Sequence, residues 1–252
     1  MAEVHGLGHS RKRVEDARFI RGKGNYIDDM KLPGMLHVDL VRSPYAHAKI
    51  KSINSEKAMK VPGVLAVITG ETLKQYNVHN MPTLMSDTQN VLPLDTVKYQ
   101  YQEVAAVLAT DRYTAADGVA AVEVEYEPLP VVVDPKKALE PGATKVRDDK
   151  ESNHIWHWEW GDKGATDKAF GAAEVTVKED IYIPRIHVAS IETCGCVAQW
   201  NAADGHLTLY MTTQAPHAIR TVVALITGHL GLSEEKIRVV SPDIGGGFGG
   251  KV

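Results

Sequence analysis

Lys236-Ile237-Arg238-Val239-Val240-Ser241-Pro242-Asp243-Ile244-Gly245-Gly246-Gly247-Phe248-Gly249-Gly250-Lys251 decides how the second half of this chain is read. The β-branched run predicts a strand over 236–240, and Ser241-Pro242 ends it. Glycines follow, and they admit several readings. Gly245 to Lys251 fits GxxxxGK, but Val252 stands where a phosphate-binding loop needs the Ser or Thr that holds magnesium. Gly245, Gly247 and Gly250 fit GxGxxG, a pattern that carries little without its helix. A third reading is a bare backbone pressed against an extended anionic cofactor, with consecutive N–H groups forming a nest and Phe248 adding an aromatic face. A turn with no ligand is the bland alternative.

Upstream of this stretch the pattern is regular. Pro216 to Gly228 predicts a helix, with Ile219, Val222, Val223, Leu225 and Ile226 on one face and Gly228 and Gly231 as stops. His206–Met211 alternates after Asp204-Gly205, so it predicts a hairpin with Cys196–Trp200. Ala173–Ile183 (AEVTVKEDIYI) also alternates and predicts a strand.

The first half alternates short strands and helices. Met35–Val41, Val64–Ile68 and Glu103–Ala109 predict strands, and Pro33-Gly34, Ser43-Pro44 and Pro62-Gly63 mark turns. Asp111 caps a predicted helix through Ala121, and Val122–Tyr126 returns as a strand. The proline-bracketed stretch 129–135 and Pro141-Gly142 place a domain boundary near 130–150. Strands alternating with helices predict an α/β or α+β layer structure, of which α+β is the class expected. The division expected is an N-terminal arm over 1–17, a first domain over 18–135 and a second over 136–252.

Composition narrows the function. The 252 residues carry 28 Lys and Arg against 32 Asp and Glu, a formal charge of -4 that does not ask for nucleic acid as partner. Hydrophobic residues at 44% argue against disorder as the main state. Two cysteines, Cys194 and Cys196, cannot ligate an iron–sulfur cluster or staple a secreted scaffold by themselves. No apolar run reaches the ~20 residues of a membrane span. Residues 1–16 lack the apolar centre of a secretory signal. The expected compartment is the cytoplasm, with peripheral attachment at the inner face of the membrane as the other option. Arg11, Lys12 and Arg13 read as a solvated arm.

An ordered set of motifs resembles the large subunit of the molybdenum hydroxylases, the xanthine dehydrogenase and aldehyde oxidase superfamily. The set is Arg18-Phe19-Ile20-Arg21-Gly22, Leu32-Pro33-Gly34-Met35-Leu36-His37, Arg42-Ser43-Pro44-Tyr45-Ala46-His47-Ala48, Val124-Glu125-Tyr126-Glu127-Pro128-Leu129-Pro130, Thr213-Gln214-Ala215-Pro216-His217 and Pro242-Asp243-Ile244-Gly245-Gly246-Gly247-Phe248-Gly249. Gln102-Glu103-Val104-Ala105, Trp158-Glu159-Trp160-Gly161-Asp162-Lys163 and Glu192-Thr193-Cys194-Gly195-Cys196-Val197 resemble its CO-oxidising group most. The resemblance implies an α/β-hammerhead domain over 18–135, followed by the beginning of a mixed α/β molybdopterin-binding domain. It implies molybdenum held by molybdopterin cytosine dinucleotide. Gln214 would lie beside an oxo ligand of the metal, in its second shell, and Gly246, Gly247, Phe248 and Gly249 would line the cofactor. The implied reaction is CO plus water to CO2, two electrons and two protons. Hydroxylation of an aldehyde, purine or other heterocycle is the alternative within the superfamily, and a non-catalytic assembly module is the alternative outside it. The implied partners are an iron–sulfur small subunit, an FAD-binding medium subunit and the remainder of the large subunit, as a dimer of heterotrimers. The family's catalytic base and active-site loop, with any copper ligand, fall beyond residue 252. No catalytic residue is therefore assigned here, and the isolated chain is expected to be inactive.

Other side chains are weighed on chemistry alone. Cys194 and Cys196 would share one face of a strand, as reduced core cysteines or soft-metal ligands. Trp156, Trp158 and Trp160 would share a half-buried strand face or meet another subunit, and His154 and His157 could bind a metal. Glu192 could be a buried acid, and it reads as a carboxylate holding backbone N–H groups ahead of a catalytic base. Arg220 could face a phosphate or solvent. His217 could approach the site or serve the helix start.

Overall fold

The computed structural model describes residues 6, 8–83 and 88–251. The arm expected over 1–17 thus lies partly outside the described residues. From the N-terminus the elements are α1 (Asp16–Phe19), β1 (His37–Arg42), β2 (Ala48–Asn54), β3 (Val64–Thr69), α2 (Gly70–Gln75), β4 (Asn80–Pro82), β5 (Thr88–Asn90), β6 (Thr96–Val97) and β7 (Glu103–Ala109). They continue with α3 (Arg112–Ala121), β8 (Glu123–Pro128), α4 (Lys163–Ala172), β9 (Cys196–Asn201), β10 (His206–Met211), α5 (Pro216–Thr227) and β11 (Ile237–Val240). The chain divides into two compact units, Gly34–Ile186 and a composite of Met1–Pro33 with His187–Val252.

The Gly34–Ile186 unit is built on an antiparallel sheet ordered β1-β7-β3. Its central strand reads EVAAVLA, and Val104, Ala105, Val107 and Ala109 are fully buried. Small and β-branched residues in alternation suit a strand covered on both faces. Helix α3 closes one face, with Ala115 joining Val41, Val64, Ala105, Val107 and Ala109 in one core. Gly118 allows that approach, because a Cβ there would sit 2.7 Å from Val107 Cγ1 and 2.9 Å from Val64 Cγ2. Asp111 starts the helix by accepting from the N–H groups of Tyr113 and Thr114, each at 2.9 Å. A second sheet, β6-β2-β8, packs Ala48, Val97 and Val104 with Tyr126.

Two sequence expectations fail in this unit. Ala173–Ile183 forms no strand, although its alternation is real: Val175, Val177, Ile181 and Ile183 are exposed and pair with nothing. A strand needs a neighbour to take its backbone hydrogen bonds, and none of the described residues offers one there. The segment 154–160 is likewise irregular, so Trp156, Trp158 and Trp160 share no strand face; Trp158 and Trp160 meet edge to face instead, 6.1 Å between ring centres. Helix α4 follows them, capped by Asp162 accepting from Ala165 N–H at 2.9 Å, and it has no counterpart in the sequence reading.

The composite unit holds the sheet β11-β10-β9. Strands β9 and β10 form the expected hairpin, and β10 returns through α5 to the parallel strand β11. That is a βαβ crossover, which brings the carboxyl ends of β10 and β11 side by side. Cys194 and Cys196 are free thiols but exposed, so the core placement expected for them does not hold. Strand β9 is the edge of the sheet, and nothing among the described residues covers that face.

Candidate molybdenum cofactor site

The two adjacent strand ends create the place where function is expected. In open α/β sheets, ligands gather beyond the carboxyl ends of parallel strands. Beyond β10 the chain is fixed by hydroxyls. Thr212 Oγ1 accepts from Gly195 N–H at 3.0 Å, and Thr212 N–H donates to the Gly195 carbonyl at 3.1 Å. Thr213 is buried, and its Oγ1 accepts from Ala215 N–H at 3.0 Å. Ser241 Oγ, just past β11, donates to the Thr213 carbonyl at 2.8 Å and ties the two strand ends together. Pro216 then opens α5, where its missing N–H costs nothing. Gln214 is left at the junction with its side chain exposed.

The orientation of the Gln214 amide follows from its partners. Oε1 accepts from Gly249 N–H at 3.1 Å and from Lys251 N–H at 3.4 Å. Both partners are donors, so the oxygen must face them and the NH2 must face away. Gln214 N–H also donates to the Lys251 carbonyl at 2.7 Å. The glycine loop therefore wraps the Gln214 side chain. Gly247 is required by that wrapping, since a Cβ there would lie 2.5 Å from Gln214 Cδ and 2.6 Å from Oε1. The loop reverses through positive φ at Gly246, Phe248 and Gly249, and Gly250 N–H donates to the Gly247 carbonyl at 2.8 Å. Phe248 at φ 49° is a bulky side chain in the left-handed region, and it is 78% exposed. Among the described residues, no hydrogen bond takes the N–H groups of Gly246, Gly247 or Phe248. Free main-chain donors and an exposed ring lie on the glycine loop, beside the free amide NH2 of Gln214. That donor set fits an anionic, oxygen-bearing group with an extended aromatic part.

The remaining candidates fall to either side of this place. Glu192 holds backbone, as its chemistry suggested: Oε2 accepts from Gly245 N–H at 2.7 Å. Arg220 pairs with Glu234 at 3.0 Å rather than standing free for a phosphate. His217 is exposed in the first turn of α5. His157 meets Glu159 at 3.0 Å, and among the described residues no group of three His, Cys, Asp or Glu is placed to hold a metal ion. Sequence reasoning missed Lys251 as a structural partner and missed the anchor at Asp243. The Asp243 carboxylate accepts both guanidinium nitrogens of Arg18 and the N–H of Asn25, the last at 2.7 Å. Arg18 holds that carboxyl below its ordinary range by direct hydrogen bonding. Both residues stood in quoted motifs, but a pairing across 225 positions leaves no local pattern.

Comparison with known families agrees with this geometry. Residues 21–130 match the aldehyde oxidase and xanthine dehydrogenase a/b hammerhead domain, and residues 146–252 match the molybdopterin cofactor-binding domain. The chain belongs to the aldehyde oxidase and xanthine dehydrogenase family. It is 55% identical to the carbon monoxide dehydrogenase large chain of Afipia carboxidovorans, over 99% of this chain and 32% of that protein. It is 35% identical to the nicotine 6-hydroxylase large subunit of Paenarthrobacter nicotinovorans, over 97% of this chain and 30% of the relative. Among solved structures, reconstituted CO dehydrogenase from Oligotropha carboxidovorans superimposes with a TM-score of 0.88 at 54% identity, covering 98% of this chain and 32% of that one. The chain spans about a third of the length of these family members. The glycine loop thus lies inside the molybdopterin-binding match.

Proposed function

We propose that this chain is the N-terminal part of the molybdenum-bearing large subunit of a CO-oxidising enzyme. The parent reaction is CO plus water to CO2, two protons and two electrons. The observation that carries the cofactor reading is the Gln214 amide, whose oxygen is held by two backbone donors while its NH2 is presented at the strand ends. Identity of 55% to a CO dehydrogenase large chain, against 35% to a nicotine 6-hydroxylase, favours CO over a heterocycle as substrate.

When bound, the molybdenum cofactor supplies two-electron redox chemistry. This chain's residues hold and orient. Gln214 would hold the bound group through its Nε2 donor, whose direction is set by the bonds to Oε1. The N–H groups of Gly246, Gly247 and Phe248 would hold the anionic parts of the cofactor, and the Phe248 ring would exclude water beside it. Because these donors are fixed before the ligand arrives, they need no reorganisation when charge develops. The cofactor form proposed is molybdopterin cytosine dinucleotide. Copper, where the enzyme carries it, would need ligands that this chain does not supply. Electrons would leave through iron–sulfur clusters and FAD on partner subunits, in a dimer of heterotrimers in the cytoplasm or at the inner face of the membrane. No helix among the described residues is long and apolar enough to cross a membrane.

Gln214→Ala in the assembled enzyme is expected to lower turnover on the order of 10²-fold, with molybdenum per folded subunit unchanged. Unchanged turnover would remove Gln214 from the cofactor site. Anaerobic addition of CO to the resting enzyme is expected to reduce it. Reduction by nicotine or a purine and not by CO would overturn the substrate reading.

A further inference from the structure

Behind the glycine loop lies a buried ion pair that the reading above does not use. Glu192 Oε2 accepts from Gly245 N–H at 2.7 Å and from Lys251 Nζ at 3.2 Å. Glu192 N–H also donates to the Gly245 carbonyl at 3.2 Å. The Lys251 side chain is 2% exposed and that of Glu192 15%. One carboxylate thus grips both ends of the loop, Gly245 where it begins and Lys251 where it closes. Lys251 in turn grips Gln214 with its main chain, through its carbonyl at 2.7 Å and its N–H at 3.4 Å.

We propose that Glu192 and Lys251 are positioning residues that fix the direction of the Gln214 amide by clamping the two ends of the glycine loop. Taking both charges out of water carries a desolvation penalty, and an apolar replacement of such a pair is often no less stable. Stability is therefore a weak reason for a buried pair at this place. Geometry is a stronger one. One of the two bonds that orient the Gln214 amide comes from Lys251 N–H, and the position of Lys251 is set from behind by Glu192 as well as by Gln214 main-chain N–H. If the pair is broken, the Lys251 backbone keeps only its bond to Gln214 N–H, and the longer of the two bonds to Oε1 is the one released. The amide can then turn, and its NH2 no longer points in one direction. The close fit agrees with this, since a Cβ on Gly245 would meet Glu192 Cβ at 2.4 Å. The inference rests on the proposed cofactor-facing role of Gln214.

The test uses the assembled enzyme with Glu192→Gln, Lys251→Met, both together, and each combined with Gln214→Ala. Glu192→Gln keeps size and an acceptor for Gly245 but removes the charge facing Lys251. The single variants are expected to lower turnover about 10-fold with little change in KM, as supporting partners of site ligands do. Their Mo(V) paramagnetic spectrum should shift toward that of Gln214→Ala, with molybdenum content retained. In the Gln214→Ala background, adding Glu192→Gln should change turnover less than about 2-fold, because the residue acts through an amide that is gone. Losses of equal size in both backgrounds, or a spectrum unmoved by breaking the pair, would overturn the clamp alone. Full turnover in Gln214→Ala by itself would remove the cofactor-facing reading and the clamp with it. If Glu192→Gln fails to fold, the charge-balanced Glu192→Gln/Lys251→Met variant carries the same test, with the same expected spectrum and the same overturning result.

Discussion

The two compact units are held together by different physics. In Gly34–Ile186, buried apolar residues crowd around β7: Val41, Val64, Ala105, Val107, Ala109 and Ala115 form one core, and Ala48, Val97 and Val104 another. In the composite unit, the buried apolar residues are Ile27, Val197 and Ile237 among those described. What fixes it instead is polar: Arg18 and Asn25 on Asp243, Glu192 on Gly245 and Lys251, Thr212 on Gly195, Ser241 on Thr213. Apolar packing is non-directional and tolerates some repacking, whereas hydrogen bonds fix atoms in place. The unit that carries the proposed cofactor loop is the one pinned by directional contacts. Each contact there is also more easily lost, because a few polar groups replace a broad core.

The largest stability effect should therefore come from the unit without the site. Val107→Ala removes two methyl groups from a residue with no exposed surface and is expected to destabilise Gly34–Ile186 by about 2–3 kcal/mol. Amide exchange should quicken across β1, β3, β7 and α3, with Gln214 and the glycine loop unaffected. An equal response in the loop would show that the two units unfold as one and would erase the contrast. Thr212→Val makes the reciprocal test. It keeps the shape of a 4%-exposed side chain and strips the acceptor from Gly195 N–H, at an expected loss of about 1–2 kcal/mol. That loss should appear as faster exchange at Gly195 and along the β9–β10 hairpin. A silent Thr212→Val would mean that the polar pins are ornamental.

The same difference explains which features the sequence makes legible. Strands β3 and β7, the Asp111 cap, the β9–β10 hairpin, α5 and β11 rest on local signals: alternation, a capping side chain, a turn pair, a helical stripe. All appear where those signals put them, within one or two residues. The alternation at Ala173–Ile183 is just as clear, yet alternation states only which residues would share a face. It cannot supply the neighbouring strand. Helices α2 and α4 are short, and their caps, Thr69 and Asp162, are residue types too common to mark them, so neither helix has a counterpart in the sequence reading. In the site, Gln214 and the loop from Gly246 to Gly249 came through resemblance to a family. The grip of Glu192 on Gly245 and Lys251, separated by 53 and 59 positions, has no periodicity to read.

A smaller effect is expected from acid. Arg18 depresses the Asp243 carboxyl, so the unfolded chain takes up the proton first as pH falls. The pair's contribution is complete above the unfolded value of about 4 and is lost as pH drops through the depressed folded value. Arg18 is 40% exposed, so solvent and salt screen much of it. Exchange at Asn25 and Asp243 N–H should rise below about pH 4 in the native protein. Asp243→Asn should abolish that acid dependence and raise exchange at neutral pH. Asp149, held at about 2 by Arg147, lies in the other unit, so the signal must be read at the two named amides and not from global melting. Acid sensitivity that survives in Asp243→Asn would assign it to another carboxylate.

The smallest expected loss of stability is at Phe248, and it separates strain from support. A bulky residue in the left-handed region costs about 1–3 kcal/mol and persists where its surroundings hold it for a purpose. Phe248 sits at φ 49° with most of its surface in solvent, so within this chain the ring recovers little of that cost by packing. Phe248→Gly relieves the strain but adds chain entropy to the unfolded state, a penalty of about 0.4–1 kcal/mol. The relief is at least as large as the penalty, so the variant should be no less stable than the parent and up to about 2 kcal/mol more stable. If the ring faces the cofactor, the assembled Phe248→Gly enzyme should release its molybdenum faster on dilution, with folding intact. A clear fall in stability would show that the ring supports the composite unit as a core residue does. Phe248 would then join the apolar side of the comparison, and the loop would lose its claim to be shaped for a ligand.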